Sequence, residues 1–362
     1  MCQNLKRLRV LSSLTKALTP TAIALGNFDG VHRGHQQVVR PILNSYVTPE
    51  AFADSAPALG QQRQISNGEL TSNRGENLSV PVFNSSSASG ASSAPCATVV
   101  TFNPHPQEFF TGQHRLMLTP LDEKVACLQA MGVEQLVLLP FNQELADLSP
   151  QQFVEDILVR QLQATQISVG QDYRFGHKRA GTVEELSAFA AKYGITVTIV
   201  PLQTCEGGRI SSSNIRQALQ QGNLLVANKL LGRSYSLVGP VVLGQQLGRT
   251  IGFPTANLQL PPDKFLPRYG VYAVRVWKDS HTGGNQPAFG VMNIGCRPTV
   301  EGKHPTVEVH LLDWSGDLYG QTLTVSLEQF LRPEQKFPSI EALKDQIQAD
   351  CIAARSLLMA NC

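Results

Sequence analysis

Gly26-Asn27-Phe28-Asp29-Gly30-Val31-His32-Arg33-Gly34-His35 follows the apolar run Thr21-Ala22-Ile23-Ala24-Leu25 and opens into Gln36-Gln37-Val38-Val39, which can continue as a helix. A buried strand, a glycine-rich turn and a helix start together make a phosphate site, because the unpaired N–H groups of the first helical turn point outward there. Two histidines three apart at such a start share one face, with Gly34 between them leaving room for a ligand. The combination suggests a nucleotide held for transfer of its α-phosphorus. It is not the GxGxxG fingerprint, and it lacks the Gly-Lys-Ser/Thr of a P-loop. The competing reading is a tight turn with two solvent-exposed histidines.

The chain around this stretch has 362 residues, enough for two domains with separate cores. A net charge of +2 gives no strong pull towards nucleic acid or an anionic membrane. The seven cysteines are scattered, odd in number and form no CxxC pair, which argues against a disulfide framework and a structural zinc site and fits a reducing cytosol. No apolar run approaches the ~20 residues of a membrane span. The basic Lys6-Arg7-Leu8-Arg9 gives the N-terminus a faint transit-peptide character, but with the first strand expected near Thr21 little could be removed, so the reading is cytoplasmic.

Residues 47–95 are rich in Ser, Gln, Asn, Ala and Gly and carry few large apolar residues, so they read as a disordered insertion that cannot offset its ordering entropy. Placed on a helix-to-strand connection, it should lie away from the strands' carboxyl ends, where ligands bind, and be dispensable. Beyond it strand and helix alternate. Thr119-Pro120 reads as an N-cap and first helical position, leading a helix with Leu121, Val125 and Leu128 on one face. Gln135–Pro140, Gln166–Val169 and Ile195–Val200 read as strands; Ser149-Pro150-Gln151-Gln152 and Thr182-Val183-Glu184-Glu185 read as capping boxes. This is an α/β pattern with a doubly wound parallel sheet. After a short helix ending at Gly232, alternating runs at Val271–Trp277, Ala288–Asn293, Thr306–Leu312 and Thr322–Leu327 indicate a small antiparallel β-barrel, closed by a terminal helix from Ser339 to Leu358. The expected domains are 1–222 and 234–362.

Three more segments fall at strand carboxyl ends. In Thr101-Phe102-Asn103-Pro104-His105-Pro106 two prolines fix a histidine, which either serves a ligand or only shapes the loop. In Gly170-Gln171-Asp172-Tyr173 the carboxylate of Asp172 suits a ribose or base edge, or caps its own turn. In Arg209-Ile210-Ser211-Ser212-Ser213-Asn214-Ile215-Arg216 the serines are ordinary caps that, with the flanking arginines, also make a cradle for pyrophosphate. An attacking phosphate is already an anion and needs no general base, only alignment and charge stabilisation. Cationic and hydroxyl donors such as His32, His35, Ser212, Ser213 and Arg216 meet that need. In the second half, Thr255 and Asn257 of Gly248-Arg249-Thr250-Ile251-Gly252-Phe253-Pro254-Thr255-Ala256-Asn257 share a face in extended chain and suit a Mg²⁺–nucleotide. Alternation in Thr306–Asp313 sets Glu308 and His310 opposite a valine face. Such an acid is either solvated or, if the substrate is an alcohol, a base.

Taken together, GNFDGVHRGH, TFNPHP, DYRFG, ISSSNIR, LGRTIGFPTANL, YGVYAV, NIGCRPT, VEVHLLD and FLRPEQKF resemble, in order, the bifunctional riboflavin kinase/FAD synthetase family of bacteria, across nearly the whole chain except 47–95. The resemblance implies an N-terminal FMN adenylyltransferase making FAD from FMN and ATP, and a C-terminal kinase making FMN from riboflavin and ATP, both with Mg²⁺. It implies that His32, His35 and Arg216, with Asn27, Phe28, Gly34, Asn103, Asp172, Arg209, Ser212 and Ser213, serve adenylyl transfer. Gly248, Thr255 and Asn257 would bind nucleotide, the last two with the metal; Glu308 would be the base on the ribityl hydroxyl and Arg332 would hold the flavin side. Ser213 stands where the family commonly has Thr, Tyr173 where Phe is usual, and Val300 where Phe is usual. The expected partners are small molecules, not nucleic acid or membrane, with homo-oligomerisation left open. One inactive module, another phosphate acceptor, or a non-enzymatic flavin or nucleotide binder are the alternatives; Glu308 beside Thr255 and Asn257 counts against a pure binder, which needs no base.

Overall fold

The computed structural model describes residues 8–43, 94–205, 208–244, 246–278, 286–299 and 302–360. Nearly all of the insertion expected at 47–95, and Val300, lie outside these residues. The first unit is a six-stranded parallel sheet of β1 (Arg9–Leu11), β2 (Thr21–Leu25), β3 (Cys96–Asn103), β4 (Gln135–Pro140), β5 (Ala164–Gly170) and β6 (Thr196–Val200), in the order β1-β4-β3-β2-β5-β6. The chain runs outward from β2 through β3 to β4, then returns to lay β5 and β6 on the other side of β2. The switch point is therefore between β2 and β5, where an open α/β sheet forms its ligand crevice. β2 is buried at all five positions, as a central strand covered on both faces must be. The histidine turn leaves the carboxyl end of that strand.

Two expectations fail here. A strand, β1, precedes Thr21 and pairs with β4 at the sheet edge; three residues of mixed polarity carry no readable alternation. Thr119 does not cap the helix Leu121–Ala130, whose N-cap is Pro120 with no side-chain bond. That helix buries Lys124 and Leu128, while Leu121 is exposed. Both capping boxes form, at Ser149 and Thr182.

A hairpin of β7 (Thr204–Cys205) and β8 (Gly208–Arg209) leads to the helices Ser212–Gln221 and Leu224–Leu231. The barrel follows: β9 (Tyr235–Val242), β10 (Ala256–Leu258), β11 (Gly270–Lys278), β12 (Ala288–Thr299), β13 (Gly302–Leu311) and β14 (Thr322–Arg332), closed in the order β10-β13-β12-β11-β14-β9 with every pair antiparallel. Its interior holds Leu237, Tyr272, Val274, Met292, Val309 and Val325. The terminal helix Ile340–Met359 covers Val271, Ala273 and Val291 on the outer face with Cys351, Ala354 and Leu358.

The sheet keeps its own core clusters, and the helices that follow it pack with the barrel instead. Ile215, Leu219, Leu224, Ala227 and Leu231 of the two connecting helices join the barrel's cluster. Each fully buried leucine there contributes about 1.5–3 kcal/mol. Lys264, from the barrel side, donates to the Leu118 carbonyl at 2.9 Å and pairs with Glu123 at 2.5 Å, and both side chains are almost fully buried. Backbone bonds from Met117 N to Asp263 O and from Phe265 N to Met117 O add to the seam.

Candidate active sites

The turn after β2 is held in a costly conformation. Phe28 and Val31 have φ of 49° and 39°, beside Gly30 at 89°. A bulky and a β-branched residue in that region cost about 1–3 kcal/mol each and persist only where surroundings over-determine them. Here both side chains are fully buried. Phe28 thus anchors the turn from below, its ring 5.2 Å from that of His35.

Asp29, which motif spacing alone gave no role, is the centre of the site. It is 2% exposed. One carboxylate oxygen accepts from the N–H groups of Leu118, at 2.8 Å, and Thr119, at 3.4 Å; the other pairs with Arg216. The Asp29 carbonyl accepts from Ser212 Oγ at 2.8 Å, and Gly30 N–H donates to Thr119 Oγ1 at 2.9 Å. The hydroxyl expected to cap a helix is spent on the turn. Lys124, hidden in the apolar stripe of its helix, donates to the Asn27 carbonyl at 3.2 Å.

His32 is the N-cap of the helix Arg33–Val39, its Nδ1 accepting from His35 N–H at 3.2 Å. That bond puts the ring proton on Nε2, leaving a donor for a ligand oxygen. The two imidazoles stack with centroids 3.6 Å apart. A Cβ at Gly34 would lie 3.2 Å from the His32 ring, so the glycine admits that ring rather than a ligand. Burial drives the His32 pKa down to about 4, with Arg233 and Arg209 adding to the effect against Asp29. Burial, then His32 and Lys124, drives His35 well below its ordinary value. Neither imidazole is the cation that the residue types suggested; both are neutral near pH 7. Positive charge comes instead from Arg216, Arg209 and Arg115, while burial lowers the pKa of Lys124. Arg216 Nη1, Arg115 Nε and His35 Nδ1 are buried without a hydrogen-bond partner, which suits an anionic ligand.

The flanks are more exposed. His105 caps the helix Pro106–Thr111, accepting from Gln107 N–H, and burial lowers its pKa to about 4. Asn27 and Asn103 are exposed, as is Ser213 in the first turn after the Ser211 cap. Asp172 pairs with Arg209, each about half exposed. The Tyr173 hydroxyl is buried without a partner. At the carboxyl ends of β3 and β4, Phe102, Phe109, Phe110 and Phe141 meet edge to face at 5.3–5.7 Å, with Phe110 67% exposed. Sequence reading missed this aromatic face; four phenylalanines on three elements have no local pattern.

On the barrel, Glu308 is the register partner of Asn257 on one side and of Asn293 on the other. Val307 and Val309 are buried, so Glu308 is on the outer face, as is Asn257 between buried Ala256 and Leu258. His310, on the Glu308 side, bonds the Pro254 carbonyl at 2.8 Å and ties the glycine-spaced loop to the strand. Thr255 lines a cavity of about 610 Å³ with Arg249, Pro254, Trp314, Asp317 and Tyr319. Gly248 lies close against Thr255 and the Phe253 carbonyl, where a side chain would collide. Arg332 is turned to Asp350 of the terminal helix in three contacts of 2.8–3.0 Å, its guanidinium 5.6 Å from the Phe337 ring.

No group of three or more His, Cys, Asp or Glu side chains able to hold a metal occurs among the described residues. The oxygens of Thr255 and Asn257 are too few for a resident ion, but they are of the hard kind that suits a Mg²⁺ bringing phosphate and water ligands with it.

Comparison with known proteins finds a match for each of the two units. A riboflavin kinase family model matches residues 231–358, and an FAD synthetase model matches 14–50 and 81–214. The bifunctional riboflavin kinase/FMN adenylyltransferase of Escherichia coli K12 is 38% identical over 97% of both chains. That of Pseudomonas fluorescens is 39% identical over 92% of this chain and 91% of its own. A crystal structure described as a macrolide-efflux protein from Streptococcus pneumoniae superposes with a TM-score of 0.73 at 30% identity, covering 96% of this chain and 99% of that one. Among the described residues no helix is long and apolar enough to cross a membrane. With both models in order and such identity along the full length, the chain belongs to the bifunctional riboflavin kinase/FMN adenylyltransferase family.

Proposed function

We propose that this riboflavin kinase and FMN adenylyltransferase makes FMN on the outer face of β10, β13 and β12 and adenylylates it at the turn after β2. The observations that carry the division are the engagement of Asp29 and the register of Glu308 opposite Asn257. Asp29 has both oxygens engaged by Leu118, Thr119 and Arg216, so it shapes its site and is not a base. FMN phosphate attacks the α-phosphorus of ATP as an anion and needs none. The neutral His32 donates Nε2–H to a phosphate oxygen. Arg216, Arg209 and the first N–H groups of the helices beginning at Arg33 and Ser212 hold the departing pyrophosphate. The face around Phe110 stacks the isoalloxazine ring.

On the barrel the nucleophile is a ribityl hydroxyl, which gains from losing its proton as it attacks. Glu308, directly opposite Asn257, takes that proton. Thr255 and Asn257 hold the phosphates of ATP, whose Mg²⁺ supplies charge neutralisation. Arg332 acts on the flavin side by fixing the terminal helix through Asp350. Cys96, Cys127, Cys205, Cys296 and Cys351 are free thiols, in keeping with a cytoplasmic enzyme.

Asp29→Asn tests the assignment in the first unit. It should cut FAD formation from FMN by about 100-fold or more while riboflavin is still phosphorylated. A wild-type FAD rate would remove Asp29 from the centre of the site.

A further inference from the structure

Each carbonyl from Asn27 to Val31 has a donor. Asn27 O accepts from Thr101 Oγ1 at 3.1 Å and Lys124 Nζ at 3.2 Å; Phe28 O accepts from Val31 N–H at 3.4 Å; Asp29 O accepts from Ser212 Oγ at 2.8 Å. The last two carbonyls are held from outside the sheet unit. Arg233 donates from Nη2 to Gly30 O at 2.9 Å and from Nη1 to Val31 O at 3.3 Å. Arg233 lies two residues before β9, inside the segment matched by the riboflavin kinase model and beyond that matched by the FAD synthetase model. The approach is close: Gln36 Nε2 bridges Val31 O and Leu231 O at 3.1 Å each, and a Cβ at Gly232 (φ 76°) would lie 2.9 Å from the Arg33 side chain.

We propose that Arg233 is a positioning residue for adenylyl transfer, supplied to that site by the segment that leads into the barrel. A planar guanidinium gripping two successive carbonyls fixes the peptide planes of a strained turn. Val31 N–H is then held on Phe28 O, and the His32 N–H and ring are left to face the phosphates without rearrangement. The adenylyl-transfer site is therefore incomplete without the start of the kinase unit, although Arg233 touches no reactant. The inference rests on adenylyl transfer taking place at this turn.

The test uses the full chain with Arg233→Ala, Arg233→Lys and His32→Ala, assaying FMN to FAD and riboflavin to FMN on the same preparations. The kinase rate reports folding. Misalignment of a reacting group costs up to about 100-fold, so Arg233→Ala should lower kcat for FAD about 10- to 100-fold, with KM for FMN changed less than about 3-fold. Lysine, which holds one carbonyl rather than two, should fall between, and riboflavin phosphorylation should stay within about 2-fold of wild type in both. A wild-type kcat for FAD in Arg233→Ala, with His32→Ala inactive, overturns the positioning role alone. Equal loss of both activities overturns it too, by making Arg233 a general support of the fold. A wild-type FAD rate in His32→Ala would instead remove the site assignment on which the inference stands.

Discussion

The imidazole rings of His32 and His35 lie face to face, centroids 3.6 Å apart and planes inclined by 13°. Two like charges at ~4 Å repel by about 4 kcal/mol at an effective dielectric of ~20, so burial keeps each ring neutral and repulsion bars both from being charged at once. The site thus offers an incoming phosphate an oriented neutral donor beside arginine charge.

A pH dependence of stability follows. With its pKa at about 4 in the folded protein against an ordinary 6.5, His32 binds a proton more readily in the unfolded chain. Its contribution is constant above the ordinary value and is lost as pH falls from about 6.5 towards 4. The expected slope from this residue is about 1.4 kcal/mol per pH unit inside that window. Denaturant titration at pH 7.5 and 5.5 should show lower stability at 5.5, less so in His32→Ala. An NMR titration of His32 with a midpoint near 6.5 would contradict the neutral stack.

The Lys264–Glu123 pair sits in the seam between sheet and barrel with almost no exposure. Burial raises the Glu123 pKa despite Lys264 and lowers that of Lys264 despite Glu123. Removing one partner leaves the other charge uncompensated, so Lys264→Met should cost about 3–5 kcal/mol, and Lys264→Met with Glu123→Met should recover most of it. Calorimetry on the three chains decides; equal losses in single and double variants would mean that the pair carries no coupling.

Arg332 and Asp350 are expected to act as one unit in the kinase. In a double-mutant cycle on kcat/KM for riboflavin, Arg332→Ala and Asp350→Ala should be non-additive by about 1–3 kcal/mol. Additive losses would show that Arg332 serves the flavin independently of the helix it now bolts to β14.

Legibility in the sequence tracked the range of the interactions. Capping boxes at Ser149 and Thr182, the alternation around Glu308 and the glycine turn before His32 are set by residues within a few positions, so their forms could be read directly. Asp29, Thr119, Lys124 and Arg233 were missed because each acts through partners 89 to 203 positions away. Lys124 is the sharpest case: a helical apolar stripe predicts Leu121 on the buried face, and the structure buries the lysine and exposes the leucine. The charge state of the histidines was equally out of reach, because residue type gives the ordinary pKa and only burial moves it.

The most direct test is chromatography of riboflavin incubated with ATP, Mg²⁺ and the full chain carrying either His32→Ala or Glu308→Ala. The wild type should yield FMN and then FAD. His32→Ala should stop at FMN; Glu308→Ala should leave riboflavin unphosphorylated, with a loss of about 100-fold or more, yet convert added FMN to FAD. Wild-type FAD formation by His32→Ala, or wild-type FMN formation by Glu308→Ala, would contradict the division of chemistry between the two sites.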